Sequence, residues 1–173
     1  RVRCQQLPIA RIREVESVVS LSTLLQNITD AERGPETCAV FDFDGTIISG
    51  YSATAFLKDQ IARGEISPAD LVQLTQAATR FGIGSLGFSA LMAVHAQYLA
   101  GRSEADYVAN SERLFRRAIA KLIYPEARQL IEAHRAAGHS IAIISSATPY
   151  QVLPAARDLG IEHVYATALE VEA

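Results

Sequence analysis

Cysteine is nearly absent: Cys4 and Cys38 are the only two in 173 residues, too few and too far apart in the chain for a disulfide framework or a zinc motif. A surplus of positive charge is missing too. With 20% charged residues and a formal net charge of −3, the chain carries no electrostatic footprint for nucleic acid. Lysine occurs only as Lys58 and Lys121. No signal-peptide pattern follows Arg1, so a reducing, cytoplasmic setting is expected and the Asn27-Ile28-Thr29 sequon is incidental. One long stretch, residues 81–101, lacks Asp, Glu, Lys and Arg and approaches the length of a membrane span. Four glycines, His95, Gln97 and two serines make it more polar than an ordinary membrane span. A buried helix or a homodimer contact is expected there instead. What remains, 49% apolar in a length that suits one domain, is the composition of a soluble globular protein.

Residues 40–46 read V-F-D-F-D-G-T, an apolar strand that runs into two aspartates two positions apart, then a glycine turn and a hydroxyl. Side chains alternate along a strand, so Asp42 and Asp44 leave the same edge on the same side if the strand stays regular. Two carboxylates so placed can divide the work of phosphoryl chemistry. Asp42 attacks phosphorus and forms an aspartyl-phosphate. Asp44, its pKa raised by burial and by its neighbour's charge, protonates the leaving alcohol and later takes a proton from water. Two carboxylates beside a phosphate also demand a cation, and Mg2+ suits all-oxygen ligands, here Asp42 and a backbone carbonyl near Asp44. Thr46 and the amides of the turn are candidates to hold phosphate oxygens. A plainer reading stays open, because Asp-Gly between apolar residues is also a hairpin signal that would pair residues 40–43 with Ile47 and Ile48.

Further along, residues 139–146 read H-S-I-A-I-I-S-S, a short apolar run ending in hydroxyls between Gly138 and Thr148-Pro149. It is expected to be a buried parallel strand, with its serines free either to bind a ligand or to cap a helix over 150–159. Residues 161–166 give the next strand and 125–137 a helix before the serine strand. Alternating strands and helices predict an α/β fold with a Rossmann-like, doubly wound parallel sheet, its site at the carboxyl ends of the strands. Between the aspartates and that helix, the spacing predicts four helices over 52–62, 67–81, 85–99 and 103–120, three of them opened by Ser67-Pro68 with Asp70, Ser85, and Ser103 with Asp106. Upstream, Ile12, Val15, Val18, Val19, Leu21, Leu24, Leu25 and Ile28 fit one stripe of a helix over 9–31, ended by Arg33-Gly34-Pro35. Its polar face carries mixed charge without a lysine-rich character, so it is expected to pack on protein rather than on a membrane.

D-F-D-G-T after an apolar strand, with a hydroxyl-ended strand downstream, resembles the haloacid dehalogenase superfamily, and residues 38–171 resemble its phosphoserine phosphatase-like subclass with a helical cap inserted after the first motif. The resemblance implies a magnesium-dependent phosphomonoester hydrolase in which Asp42 is nucleophile and metal ligand, Asp44 is acid/base and second metal contributor, and Ser145, rather than Ser146, binds the transferring phosphoryl group. It implies a core of residues 37–50 and 122–173, a cap of 51–121, and an added N-terminal helical segment of 1–36. The superfamily also uses a lysine and further acidic residues after the hydroxyl strand. Here Lys58 and Lys121 both precede Ser145, and Glu170 and Glu172 lie too close behind that strand. Without the lysine, developing negative charge is poorly compensated, so the chain is expected to be the N-terminal part of a longer enzyme. The contrasting expectation is a noncatalytic binding or scaffold module.

In the phosphoserine phosphatases a glutamate nine positions after the nucleophile reads the substrate amine. Tyr51 stands there in this chain, which disfavours phosphoserine. Tyr51, Phe56 and the apolar cap suit a less polar leaving group, so the expected partner is a small phosphorylated molecule, with a lipid-like one as the apolar extreme. Arg113, Arg116, Arg117 and Lys121 cluster near the end of the cap, either as a solvated face or as an anion site. Segments around Ser52-Ala53, residues 122–127 and residues 145–148 are also similar to phosphatase-like domains fused ahead of phospholipid acyltransferases, although no His-x4-Asp motif is present.

Overall fold

The computed structural model describes residues 19–82, 84, 99, 101–168 and 170–171. Ile141, Ala142 and Ile143 are buried in succession, which suits a strand covered on both faces. They belong to β2 (Ser140–Ile144), the middle strand of a parallel sheet whose order is β1 (Cys38–Phe41), β2, β3 (His163–Tyr165). In β1–β2 the register sets Phe41 opposite Ile143, and in β2–β3 it sets Ile144 opposite Tyr165. The expected strand over 139–146 is therefore present but shorter at both ends.

Helix α1 (Leu21–Asp30) precedes β1 and packs on the helix before β2, which buries Ile28 of the predicted stripe and leaves Val19 and Leu24 exposed. The part of that stripe before residue 19 lies outside the described residues. After β1 come α2 (Ser52–Ala62), α3 (Pro68–Gly82) and α4 (Glu104–Leu114), then α5 (Pro125–Ala137), β2, α6 (Pro149–Leu159) and β3. Local chemistry sets these limits. Ser67 and Ser103 accept from the amides of Asp70 and Asp106 at 3.1 and 3.3 Å, and α6 opens with a reciprocal box between Thr148 and Gln151. Gly138 closes α5 at φ +78°, a left-handed position that a Cβ disfavours.

The helix expected over 85–99 falls almost wholly outside the described residues. The one expected over 103–120 is not continuous: α4 stops at Leu114, a π-helical turn spans Phe115–Ile119 and a 3-10 turn spans Ala120–Leu122. The wider turn brings both Phe115 and Ile119 inside, at 6% and 1% exposure. The core lies between the sheet and α6 and extends into these turns, with Phe43, Ile47, Ile48, Ile119, Ile131, Ile143 and Val152 wholly buried.

The two strands of chain that join the inserted helices to the sheet run side by side. Ser49 N–H donates to the Leu122 carbonyl at 2.8 Å and Tyr124 N–H to the Ile47 carbonyl at 2.9 Å, around an antiparallel Ile48–Ile123 bridge. This resolves the hairpin alternative: Ile47 and Ile48 pair with the returning chain, while the neighbour of β1 is β2.

Candidate active site

Strand β1 ends at Phe41, so the aspartates sit on a turn rather than on a continuing strand. Phe43, between them, is wholly buried and fixes that turn. Its carbonyl accepts from the amides of Thr46, Ile47 and Ile48 at 3.3, 2.9 and 3.1 Å, while Gly45 N–H, at φ +79°, donates to the Ile48 carbonyl at 3.0 Å. The turn amides expected to face a phosphate are thus consumed inside the turn. The amide and carbonyl of Asp44 are left without a backbone partner among the described residues.

Asp42 is exposed, and its Oδ1 accepts from the Phe43 amide at 2.7 Å. Its other oxygen faces no hydrogen-bond donor among the described residues. Asp44 is half-buried and tied at both oxygens: Ser52 N–H donates to Oδ1 at 2.7 Å and Ser52 Oγ to Oδ2 at 3.2 Å. Burial pushes the Asp44 carboxyl above its ordinary value. The two bonds from Ser52 pull it back, the charge of Asp42 pushes the same way as burial, and the net direction is upward.

Ser52 continues inward. Gln151 Nε2 donates to Ser52 Oγ at 3.0 Å, and Gln151 Oε1 accepts from the amide and hydroxyl of Thr148 at 2.8 and 2.9 Å. All three residues are buried. A chain of hydrogen bonds therefore links Asp44, at the end of β1, to the helix cap after β2. Sequence reasoning passed over Ser52 and Gln151. The Thr148-x-x-Gln151 spacing signalled a cap, but nothing local signalled that its glutamine reaches Ser52, 99 positions away.

Ser145 follows β2 directly, is half-buried, and its Oγ accepts from the Ala147 amide at 3.1 Å, leaving its hydroxyl proton to donate. Ser146 is exposed. Asp42 and Ser145 each stand just past the carboxyl ends of adjacent parallel strands. Thr46 is exposed and borders a cavity of about 340 Å³ with Phe41, Tyr124 and Leu130. Tyr51, 71% exposed, lines a different cavity of about 490 Å³. Phe56 does not join it: at 3% exposure it belongs to the core and meets the Tyr107 ring at 5.9 Å, because the fifth residue of α2 faces inward. Neither lysine bonds to either aspartate.

Among the described residues no three His, Cys, Asp or Glu side chains gather as a complete metal site. The donors that are present still fit a hard cation that keeps most of its water: one unengaged carboxylate oxygen on Asp42 and one unengaged carbonyl oxygen on Asp44. The Asp44 carboxylate, held at both oxygens by Ser52, is not free for that purpose. No helix among the described residues is long and apolar enough to cross a membrane.

Residues 39–173 match the haloacid dehalogenase-like hydrolase family. A phosphoserine phosphatase of Mycobacterium tuberculosis is 32% identical over 137 residues, 76% of this chain and 44% of that protein. Among solved structures, a Bordetella pertussis protein of unknown function superposes with a TM-score of 0.66 at 24% identity, covering 76% of this chain and 59% of the other. A phosphoserine phosphatase in the form of a phospho-aspartyl intermediate analogue superposes at 0.55 with 17% identity, over 81% of this chain and 59% of that one. These two share the fold. The chain spans about half the length of the curated relatives it matches.

Proposed function

The chain belongs to the haloacid dehalogenase-like hydrolases, and from that premise we propose that it carries the first half of the active site of a phosphomonoester hydrolase. One observation supports this above the rest: two carboxylates just past a strand end stand in different surroundings. Asp42 is exposed with a free oxygen, while Asp44 is half-buried, pushed toward its protonated form and held in place. Pairs of acids whose environments drive them apart divide acid and nucleophile roles between them.

In this reading the free oxygen of Asp42 attacks phosphorus, an O–P bond forms, and the bond from phosphorus to the leaving oxygen breaks. Asp44 gives that oxygen its proton, so an alcohol departs and an aspartyl-phosphate remains. Water then attacks the same phosphorus, Asp44 takes its proton, and inorganic phosphate leaves as the Asp42–phosphorus bond breaks. Ser52, fixed through Gln151, keeps the Asp44 carboxyl aimed during both transfers. The hydroxyl of Ser145, that of Thr46 and the unengaged amide of Asp44 are the donors available to phosphate oxygens. Magnesium, held by the Asp42 carboxylate and the Asp44 carbonyl, would supply the positive charge that lets an anionic nucleophile approach an anionic ester.

Hydrolysis of an aryl phosphate with magnesium tests the reading, using this chain and any longer chain that contains it. Asp42→Asn is expected to lower turnover by at least about 1,000-fold. Undiminished turnover by that variant sinks the assignment, and no turnover by any form moves the chain to a binding role.

A further inference from the structure

Among the described residues, three cations make no ion pair or hydrogen bond. Arg63 and Arg113 hold Asp59, Arg102 holds Glu65, Arg116 and Arg157 hold Glu112, Arg128 holds Asp158, and Arg135 holds Glu132. Arg33 donates to the Ala136 carbonyl, and Arg80 is also engaged. Lys58, Lys121 and Arg117 make no ion pair or hydrogen bond among the described residues. Those three, which include both lysines of the chain, line one cavity of about 490 Å³.

The cavity is a groove between two helical faces. From Tyr51, the N-cap of α2, through Lys58, the lining residues recur at helical spacing; opposite them, Leu114, Arg117 and Lys121 lie three and four positions apart across the π turn. Its floor is apolar, made of alanine and leucine side chains, and its volume suits a small organic molecule. Asp59 is the acid on its wall, and its carboxylate is already spent on Arg63 and Arg113. Three like charges around an apolar groove repel one another and attract an anion. The position matters as well: Tyr51 lines the groove, and the next residue, Ser52, holds Asp44.

We propose that this groove binds a second acidic group, carried on an apolar body, and so selects substrates whose leaving group bears a carboxylate or phosphate of its own. The binding stands by itself; the link to substrate choice rests on the phosphatase reading. Of the basic cluster around residues 113–121, Arg113 and Arg116 are taken up by Asp59 and Glu112, and Arg117 and Lys121 do the binding with Lys58, far from them in sequence.

The test is a titration of the chain with benzene-1,3-dicarboxylate, with benzamide as the uncharged control, followed by calorimetry and by amide shifts. The dicarboxylate is expected to bind at least about tenfold more tightly than benzamide, to weaken with added salt, and to lose at least about tenfold in the Lys58→Gln/Arg117→Gln/Lys121→Gln variant. Lys58→Gln alone gives a smaller loss and guards against a misfolded triple variant, and the circular dichroism of both shows whether they fold. Equal binding of the two probes, or a folded triple variant that binds as the parent does, overturns the site. Separately, the kcat/KM ratio of 3-carboxyphenyl phosphate to phenyl phosphate should exceed one and fall toward one in the triple variant. A ratio that the variant leaves unchanged removes the groove from substrate choice. Hydrolysis of neither ester, by this chain or by any longer chain that contains it, removes the phosphatase reading while the titration still decides the binding.

Discussion

Asp44 is governed by a single residue, Ser52, which reaches both of its oxygens. Because the hydroxyl bond stabilises the charged form, its removal raises the Asp44 pKa further. An acid with a higher pKa stays protonated to higher pH, so in Ser52→Ala the alkaline limb of the kcat/KM profile moves upward. The loss of an aiming contact should also lower kcat/KM on the order of tenfold, and Ser52→Thr, which keeps the hydroxyl, should restore the profile. An alkaline limb that stays in place or moves down in Ser52→Ala would show that Asp44 is not the titrating acid. At this scale the sequence could single out Asp42, Asp44 and Ser145 as candidates, since all lie within a few positions of a strand end. It did not disclose Ser52 or Gln151, whose pairing arises only when α2 and α6 are brought together. Phe56 departs from the expected pocket for a related reason: an aromatic on an amphipathic helix can face either a groove or the core, and here it packs against the Tyr107 ring.

Helix α6 carries Pro154 in its interior, so the carbonyl four positions earlier, that of Tyr150, receives no amide from the helix. The buried Ser111 on α4 supplies the missing donor through its hydroxyl. One hydrogen bond thus repairs the helix and docks α4, beside the Tyr107–Tyr150 ring contact at 5.0 Å. Ser111→Ala should cost about 1–2 kcal/mol in urea unfolding by stranding that carbonyl. Pro154→Ala gives the carbonyl an amide of its own, so a double-mutant cycle should show a coupling of about 1 kcal/mol, and simple additivity would count against the repair. Elements bounded by local punctuation were legible to the residue: α2 and α5 match the expected 52–62 and 125–137, the latter fixed by Pro125 at its first turn and Gly138 past its last. The break after Leu114 was not legible, because a π turn differs from an α turn only in which residues the core demands, here both Phe115 and Ile119.

Across the whole molecule, the parallel order and the insertion of helices after β1 could be read from alternating patterns, whereas the seating of α1 could not. It depends on a junction between residues 32–37 and the end of α5. Gly34 N–H donates to the Ala137 carbonyl at 3.1 Å, His139 Nε2 meets the Glu32 carbonyl at 2.9 Å, and His134 Nδ1 meets His139 Nδ1 at 2.9 Å. A carbonyl only accepts, so His139 must carry its proton on Nε2, which makes its Nδ1 an acceptor and His134 Nδ1 the donor. One added proton can be carried at the outer nitrogen of His134; a second leaves two N–H groups facing each other. Burial, and then the neighbouring His139, hold His134 below the ordinary imidazole value of 6.5. The unfolded chain therefore binds the proton more readily, so this contribution to stability is complete above about pH 6.5 and falls as pH drops through the lower folded value. The urea midpoint should be lower at about pH 5.5 than at about pH 7.5. Amide exchange in residues 21–37 should accelerate first, since α1 is held to the sheet through this junction. His134→Leu should show a smaller acid-induced fall than the parent, and an equal fall in the two would place the acid sensitivity elsewhere in the molecule.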